Sequence, residues 1–418
     1  MSNLKIRELV RDDLNALSGF WDRNGRPGAV SAESWNRRWS HNALMADGAA
    51  PLAVGWAIEA EPGKVVGHLG NVALPYELRG RRIAAAAAAD WHVEQQYRSS
   101  SIQLLARFFG QESVGLFVNS FPTETAIRAW TAFGGRNAPV PDCGSPLFRV
   151  VDYEGFVQAT FRRKGLPLAA LFGPIAGTIL RLVDGAKGIC SGARRGESAL
   201  RTAHATTLDG STGDVVSAVL SRCCNCPRVK DDGLPMRRNG SFRLPQGWRV
   251  RIVREFGGEF DKFWQALRSR SQKLLLVRDG KRLSWSFRDF LAGDRGWICV
   301  LENDAGMIGY AIYVLKNNRE IGLKRAWIAD LQVLDDDMAA LQSLIWGGVE
   351  ECGRREIHVC EAIGFCPTKR NAARKLLPRM RAFANWPFIY RTADPNLREE
   401  LKNPDLWDPC IMDGADAL

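Results

Sequence analysis

Gly63-Lys64-Val65-Val66-Gly67-His68-Leu69 is echoed about 240 residues later by Ala305-Gly306-Met307-Ile308-Gly309-Tyr310-Ala311. A second echo follows each stretch. Ala89-Asp90-Trp91-His92-Val93 matches Ala329-Asp330-Leu331-Gln332-Val333, and Leu104-Leu105 and Leu344-Ile345 stand eleven residues beyond the two valines. The openings agree as well. Lys5-Ile6-Arg7-Glu8-Leu9-Val10 precedes an expected helix ending in Phe20-Trp21, and Val250-Arg251-Ile252-Val253-Arg254-Glu255 precedes one containing Phe263-Trp264. A repeat this long and this dispersed constrains the chain to two copies of one folding unit. Where the copies differ bears on which of them carries a function.

Length and charge add bounds. A chain of 418 residues holds two or three domains. Its 46% hydrophobic and 25% charged residues are ordinary for a soluble globular protein. The net charge of +11 is not ordinary, and it is concentrated: residues 160–270 carry 20 Lys and Arg against 9 Asp and Glu, so the two repeats outside are close to neutral. A basic centre points to an anionic partner: a phosphorylated cofactor, an acidic carrier protein, nucleic acid or an anionic membrane surface. A solvated basic linker is the plain alternative.

Ten cysteines lie without framework spacing, and no leader pattern opens the chain, so a reduced cytoplasmic protein is expected. Cys223, Cys224 and Cys226 form a cluster with no second pair at ligand spacing and only His204 near, so no metal site is expected. Residues 166–183 are apolar apart from Arg181 but are interrupted by Pro167 and Pro174. A core or interdomain helix is expected there; the flanking Arg162-Arg163-Lys164 keeps a peripheral membrane contact open.

Periodicity in the first repeat reads as a strand at 4–10, helix from 12 to 21 and again over 35–39, strands at 52–60 and 65–75, and a turn at 78–82. A strand follows at 83–93, then helix 102–109, strand 114–118, helix 124–133 and a last strand at 147–151. This is an α/β pattern of the α+β kind, with one mixed sheet per repeat.

Val93-Glu94-Gln95-Gln96-Tyr97-Arg98-Ser99-Ser100-Ser101-Ile102-Gln103 is similar to the strand-loop-helix element V-x-P-x-Y-R-G-x-G-I-G of the Gcn5-related N-acetyltransferase (GNAT) family. Asn119 to Gly134 resembles that family's later strand-helix element. Arg278-Asp279 with Leu283-Ser284-Trp285-Ser286-Phe287, and the tail from Trp407 to Asp416, resemble tandem GNAT proteins of polysaccharide or secondary-metabolite pathways; Ser286 stands where those have Arg. The resemblance covers residues 1–155 and, more weakly, 246–418. It implies two GNAT-like domains in tandem, 1–155 and 246–418, joined by a basic connector at 156–245.

The resemblance implies acetyl-CoA or another acyl-CoA as donor, with the pyrophosphate on backbone N–H groups that open a helix. Val93, Arg98, Ser99, Ser100, Ser101, Ile102, Gln103, Asn119 and Trp130 occupy the corresponding positions. The glycines that let such a loop curl are replaced by Ser99, Ser101 and Gln103. An ordinary capped helix start is the bland alternative. In the second repeat the same loop reads Asp335-Asp336-Asp337, three carboxylates expected to face any bound phosphate, so no cofactor is expected there.

Acyl transfer to an amine needs a base. Alternation places Asp90, His92 and Glu94 on one strand face. Asp90 is matched by Asp330 in the second copy and is therefore read as structural, whereas His92 becomes Gln332. His92 is the leading candidate, with Glu94 and His68 behind it. Trp130 stands where the family often has a tyrosine acid, and an indole N–H is no acid.

The expected activity is an acyl-CoA-dependent N-acyltransferase acting on a small-molecule amine: an amino sugar, an amino acid or a pathway intermediate. The alternatives are a catalytically silent GNAT-like binding module, a Fem-type aminoacyl transferase using aminoacyl-tRNA, and an acyltransferase fed by an acidic acyl carrier protein. Homo-oligomerisation is left open.

Overall fold

Two-residue turns set the register of the first sheet. In the computed structural model, Arg79 and Gly80 close the longest hairpin with φ of 50° and 76°, the left-handed pair that matches strand twist. The described residues are 4–45, 52–120, 122–165, 243–381 and 387–414, with Thr178. The apolar 166–183 stretch (Thr178 apart) and Cys190, Cys223, Cys224 and Cys226 lie outside them.

The first half runs β1 (Lys5–Glu8), α1 (Leu14–Arg23), α2 (Ala32–Met45), β2 (Gly55–Glu61), β3 (Lys64–Leu78) and β4 (Arg81–Val93). It continues with α3 (Ser101–Phe109), β5 (Leu116–Ser120), α4 (Glu124–Ala132), β6 (Arg136–Asn137) and β7 (Leu147–Val150), and α5 (Tyr153–Arg163) follows. The second half runs β8 (Arg249–Val253), α6 (Gly258–Arg270), β9 (Leu274–Leu276), α7 (Gly280–Ala292), β10 (Gly296–Asn303), β11 (Gly306–Leu315) and β12 (Arg325–Val333). Then come α8 (Met338–Arg354), β13 (Val359–Ala362), α9 (Pro367–Leu376), β14 (Arg379–Met380), β15 (Phe388–Arg391) and α10 (Pro395–Glu400). Apart from β9 and the closing α10, the order is the same twice, as the repeat requires.

The strands form two mixed sheets, β1-β2-β3-β4-β5-β15-β6 and β14-β7-β13-β12-β11-β10-β8, with β9 paired to the far end of β3. Each has one parallel pair, β4 with β5 and β12 with β13. The halves have exchanged strands. β7 pairs β13 and β14 in the second sheet, and β15 pairs β5 and β6 in the first. The strand expected at 147–151 exists, but its partners belong to the other half.

Alternation sorts the first sheet into two faces. Trp56 and Ile58 of β2 pack with Leu104, Leu105 and Phe108 of α3. Ala57 between them packs with Leu17, Phe20 and Trp21 of α1 and Trp35 of α2. An arginine anchors each opening strand: Arg7 bonds Asp13 at 2.6 Å and Glu59 at 2.7 Å, and Arg251 bonds Glu259 at 2.8 Å and Glu302 at 3.4 Å. Among the described residues, no helix is long and apolar enough to cross a membrane, and no group of three or more His, Cys, Asp or Glu is placed to hold a metal.

Candidate functional site

β3 and β4 stay in register from Leu78 and Arg81 down to Gly70 and Ala89, and resume with His68 opposite His92. Asp90 and Trp91 thus face the single residue Leu69, a bulge with Asp90 at φ 50°. On the other side, β4 meets β5 only where Ala85–Ala87 pair with Leu116–Val118. Beyond that the strands part and a cavity of about 430 Å³ opens. One wall is Ala88 to Trp91 of β4; the facing wall is Asn119 and Ser120 of β5 with Thr123 and Ala126 of α4. Arg26, Ser34, Arg37 and Arg38 close it from the α1–α2 side, and Trp285 of α7 closes it from the second half.

The cavity is cationic, and its charges are held in different ways. Arg38 bonds the Asp90 carboxylate at 2.7 Å. It lies flat because Gly70 has no side chain: a Cβ there would fall 2.7 Å from the guanidinium. Burial alone would raise the Asp90 carboxyl, but Arg38, with smaller contributions from His68 and Arg26, holds it below the ordinary carboxylate range. Arg37 pairs with Asp289 of α7, bridging the halves. Arg26 lies 5.2 Å from the Trp21 ring centroid, and among the described residues its guanidinium has no carboxylate or hydrogen-bond partner.

The residues singled out as bases do not line this cavity. His92 is half-buried against Phe20 and Trp21, with Nε2 2.9 Å from Asn24 Oδ1. Burial, with the charges of Arg26 and Arg98, lowers its pKa, so the ring is neutral at pH 7. Glu94 is bound to Arg23 at 3.3 Å. His68 is fully buried with both ring nitrogens lacking a hydrogen-bond partner, and burial pushes it down to about 4. The bulge breaks the single-face reading: Asp90 turns into the cavity while His92 and Glu94 contact α1. Asp90 is also not the structural twin of Asp330, because the two aspartates stand in different surroundings.

Among the expected cofactor positions, Asn119 lines the cavity. Val93 and Ser100 are buried, while Arg98, Ser99, Ile102 and Gln103 are exposed. Residues Gln95–Ser100 form a 3-10 helix, with the Tyr97 and Ser101 amides donating to the Glu94 and Arg98 carbonyls. Ser101 Oγ also donates to the Arg98 carbonyl, at 2.7 Å. Trp130 is core, packed at 4.9 Å from Phe109 and 5.8 Å from Phe108 between ring centroids.

The second half has its bulge one residue earlier, at Ala329, with Asp330 paired to Ile312 and Ile328 to Tyr313, and it repeats the parting after Ile328 and Ala362. There the gap is filled. Arg278 bonds Asp330 at 3.0 Å and Asp413 at 3.1 Å, and Tyr310 and Gln332 donate to Asp330 at 2.6 and 2.9 Å. Lys369 bonds Gln332 at 3.0 Å and pairs with Asp408. All of these side chains are buried. Asp408 and Asp413 come from the chain's closing segment, which therefore packs into this half, while the Asp413 carbonyl accepts from Tyr76 Oη of β3 in the first at 2.8 Å.

The three loop aspartates do not face an empty phosphate site. Asp335 pairs with Arg270 at 2.8 Å, Asp336 with Lys273 at 2.6 Å, and Asp337 accepts the Ala340 amide at 2.7 Å. Asp335 and Asp336 take the left-handed backbone, φ 56° and 50°, that the first-half loop lacks.

Sequence reasoning missed Arg26, Arg37, Arg38, Trp91 and Trp285. One signal existed for Arg38: Gly70, a glycine inside a strand, marks a close approach.

No protein-family model matches the chain, and no curated protein matches it. Among solved structures, the GCN5-related N-acetyltransferase from Anabaena variabilis ATCC 29413 aligns at TM-score 0.48 and 12% identity, over 94% of this chain and 73% of that one. Saccharomyces cerevisiae N-myristoyltransferase with bound myristoyl-CoA aligns at 0.49 and 12%, over 100% and 84%. A tandem GNAT protein from the clavulanic acid biosynthesis pathway aligns at 0.45 and 13%, over 94% and 99%. The strand order itself, observed in both halves with the parallel pair and the parting beyond it, is that of a tandem GNAT fold with its last strands exchanged.

Proposed function

We propose that the chain transfers an acyl group from an acyl-CoA thioester to a small amine, with the reaction seated in the first half. The carrying observation is the contrast at the parted strands: the first half leaves about 430 Å³ open between β4 and β5, and the second half fills the same place with buried ion pairs. A slot flanked by strand ends and the start of α4 gives room for a thioester, and its convergent polar groups suit an amine. The exposed Arg98, without an ion pair among the described residues, is the cation offered to a phosphate beside the α3 start. The domain division at 155 and 246 is kept as part of this proposal, with β7 and β15 shared across it.

The amine attacks the thioester carbonyl; a C–N bond forms, the C–S bond breaks, and the thiolate leaves with a proton. Asp90, ionised beside Arg38, attracts the incoming ammonium and is a poor base. His92 lies outside the cavity lining, on the α1 side of the bulge; it is neutral, its Nδ1 has no partner among the described residues, and it is the group assigned to take the proton through an intervening water. His92→Ala is expected to lower kcat about 10²- to 10⁴-fold with acyl-CoA binding kept, measured by thiol release. Unchanged turnover removes His92 from the role.

A second reading has one observation in its favour. The Gln95–Ser100 turn spends the Tyr97 and Ser101 amides internally, which suits a ligand-binding module without transfer. Calorimetry with CoA and acetyl-CoA separates the two. Binding weakened by Arg98→Glu supports the acyltransferase; absence of binding by either compound leaves the silent module.

A further inference from the structure

We infer that the acceptor is a zwitterion-like small molecule, an amine that also carries a carboxylate, and that Arg26 seats the carboxylate. This rests on the acyl-transfer reading above and names its acceptor class.

The charge inventory of the cavity leads there. Of the three arginines, Arg37 is taken by Asp289 and Arg38 by Asp90. Arg26 remains, with no ion pair or side-chain hydrogen bond among the described residues. Its guanidinium is positioned instead over Trp21, 5.2 Å from the ring centroid. Contact with an indole face fixes a guanidinium without using any of its five N–H donors. Arg26 is exposed at the cavity's edge, and a planar fork resting on an indole with all donors free matches a carboxylate in bidentate geometry, which a lysine would not.

The other end of the molecule is set by Asp90. Its carboxylate is the cavity's own negative charge, and at neutral pH the incoming amine is an ammonium. Arg26 and Asp90 both line the cavity, so the cationic and anionic poles share one chamber, with His92 outside it. A long polyanion would need a row of free cations, and the cavity offers one.

The arrangement also couples binding to the base. Arg26 is among the charges that keep the His92 pKa low. A carboxylate on Arg26 cancels that charge, so seating the acceptor raises the basicity of His92 when it is needed.

The test is calorimetric titration of the full chain with matched pairs: phenylalanine against phenethylamine, histidine against histamine, lysine against cadaverine. At least one acid-bearing member is expected to bind ten times or more tightly than its decarboxylated partner. Arg26→Gln is expected to bring that ratio close to one, and Arg26→Lys to restore part of it, with unchanged circular dichroism. In the free protein, Arg26→Gln is also expected to raise the His92 pKa in a proton NMR titration, a change that a packing role for Arg26 would not produce. Equal affinity within every pair, a ratio that survives Arg26→Gln, or no binding by any member overturns the inference. Failure of the acyl-transfer reading looks different: the binding ratio stands, and acetyl-CoA releases no thiol with the bound member.

Discussion

The two halves part their strands at the same place and use the opening in opposite ways. In the first, Asp90 reaches into a cavity and meets one arginine at 2.7 Å. In the second, Asp330 is sealed among Arg278, Tyr310 and Gln332, and the closing segment adds Asp408 and Asp413. One fold position thus lines a cavity in one copy and sits among buried ion pairs in the other. The difference is made by what covers the bulge: α2 and the α1–α2 connection leave a chamber, whereas α9 and the tail fill it.

The sharpest way to break this comparison is to remove those ion pairs. Arg278→Ala strands two carboxylates in the interior and is expected to cost about 3–5 kcal/mol, read by urea unfolding. A loss below about 1 kcal/mol, the range of a partly exposed pair, would mean the second opening is not held by its ions.

Filling the first opening is the converse. Ala88→Phe places a ring in the cavity wall and is expected to reduce acyl transfer about 100-fold by displacing the reacting groups, with thermal stability close to the parent's. Full activity in this variant would place the reaction elsewhere.

Acid titration sharpens the contrast further. Arg278 is shared by two carboxylates, and burial pushes Asp413 up to about 6. The ordinary value is about 3.9. Below pH 4 both folded and unfolded chains hold this proton. Between pH 4 and 6 the unfolded chain releases it first, so Asp413's contribution to stability is lost as pH rises through that window. Asp413→Asn is expected to flatten this part of the stability profile by an amount on the order of 1–2 kcal/mol, measured by chemical denaturation at stepped pH. An unchanged profile would mean that Asp413 is ionised in the folded chain throughout.

The smallest effect belongs to the first half. Asp90→Asn disrupts a pair with the aspartate about two-fifths exposed to the cavity, and its stability cost is expected to stay under about 1 kcal/mol. A cost like that of Arg278→Ala would make the two aspartates equivalent after all.

Much of the architecture was legible because it repeats. The echo at Gly63 and Gly306 marks the β2–β3 and β10–β11 turns, where φ of 78° and 114° favours glycine in both copies. Strand exchange was not legible. Leu147–Val150 reads as a strand whichever sheet receives it, because pairing partners hundreds of residues away leave no local pattern. Few of the candidate residues lie at the cavity. Asn119 was named and lines the cavity, but Asp90 was set aside on its match to Asp330, and a sequence match carries no information about what covers a bulge. Arg26 and Arg38 carry no local pattern that marks them out from other surface arginines. Trp285 enters from the other half, beyond the reach of reasoning within one repeat.

Hydrogen–deuterium exchange of the full chain, with and without saturating acetyl-CoA, tests the asymmetry most directly. Protection at residues 88–94 and 116–126, with residues 329–333 and 363–370 unchanged, is the expected result. Protection at 329–333 instead would contradict it, because a ligand would then be entering the half that the closing segment packs into.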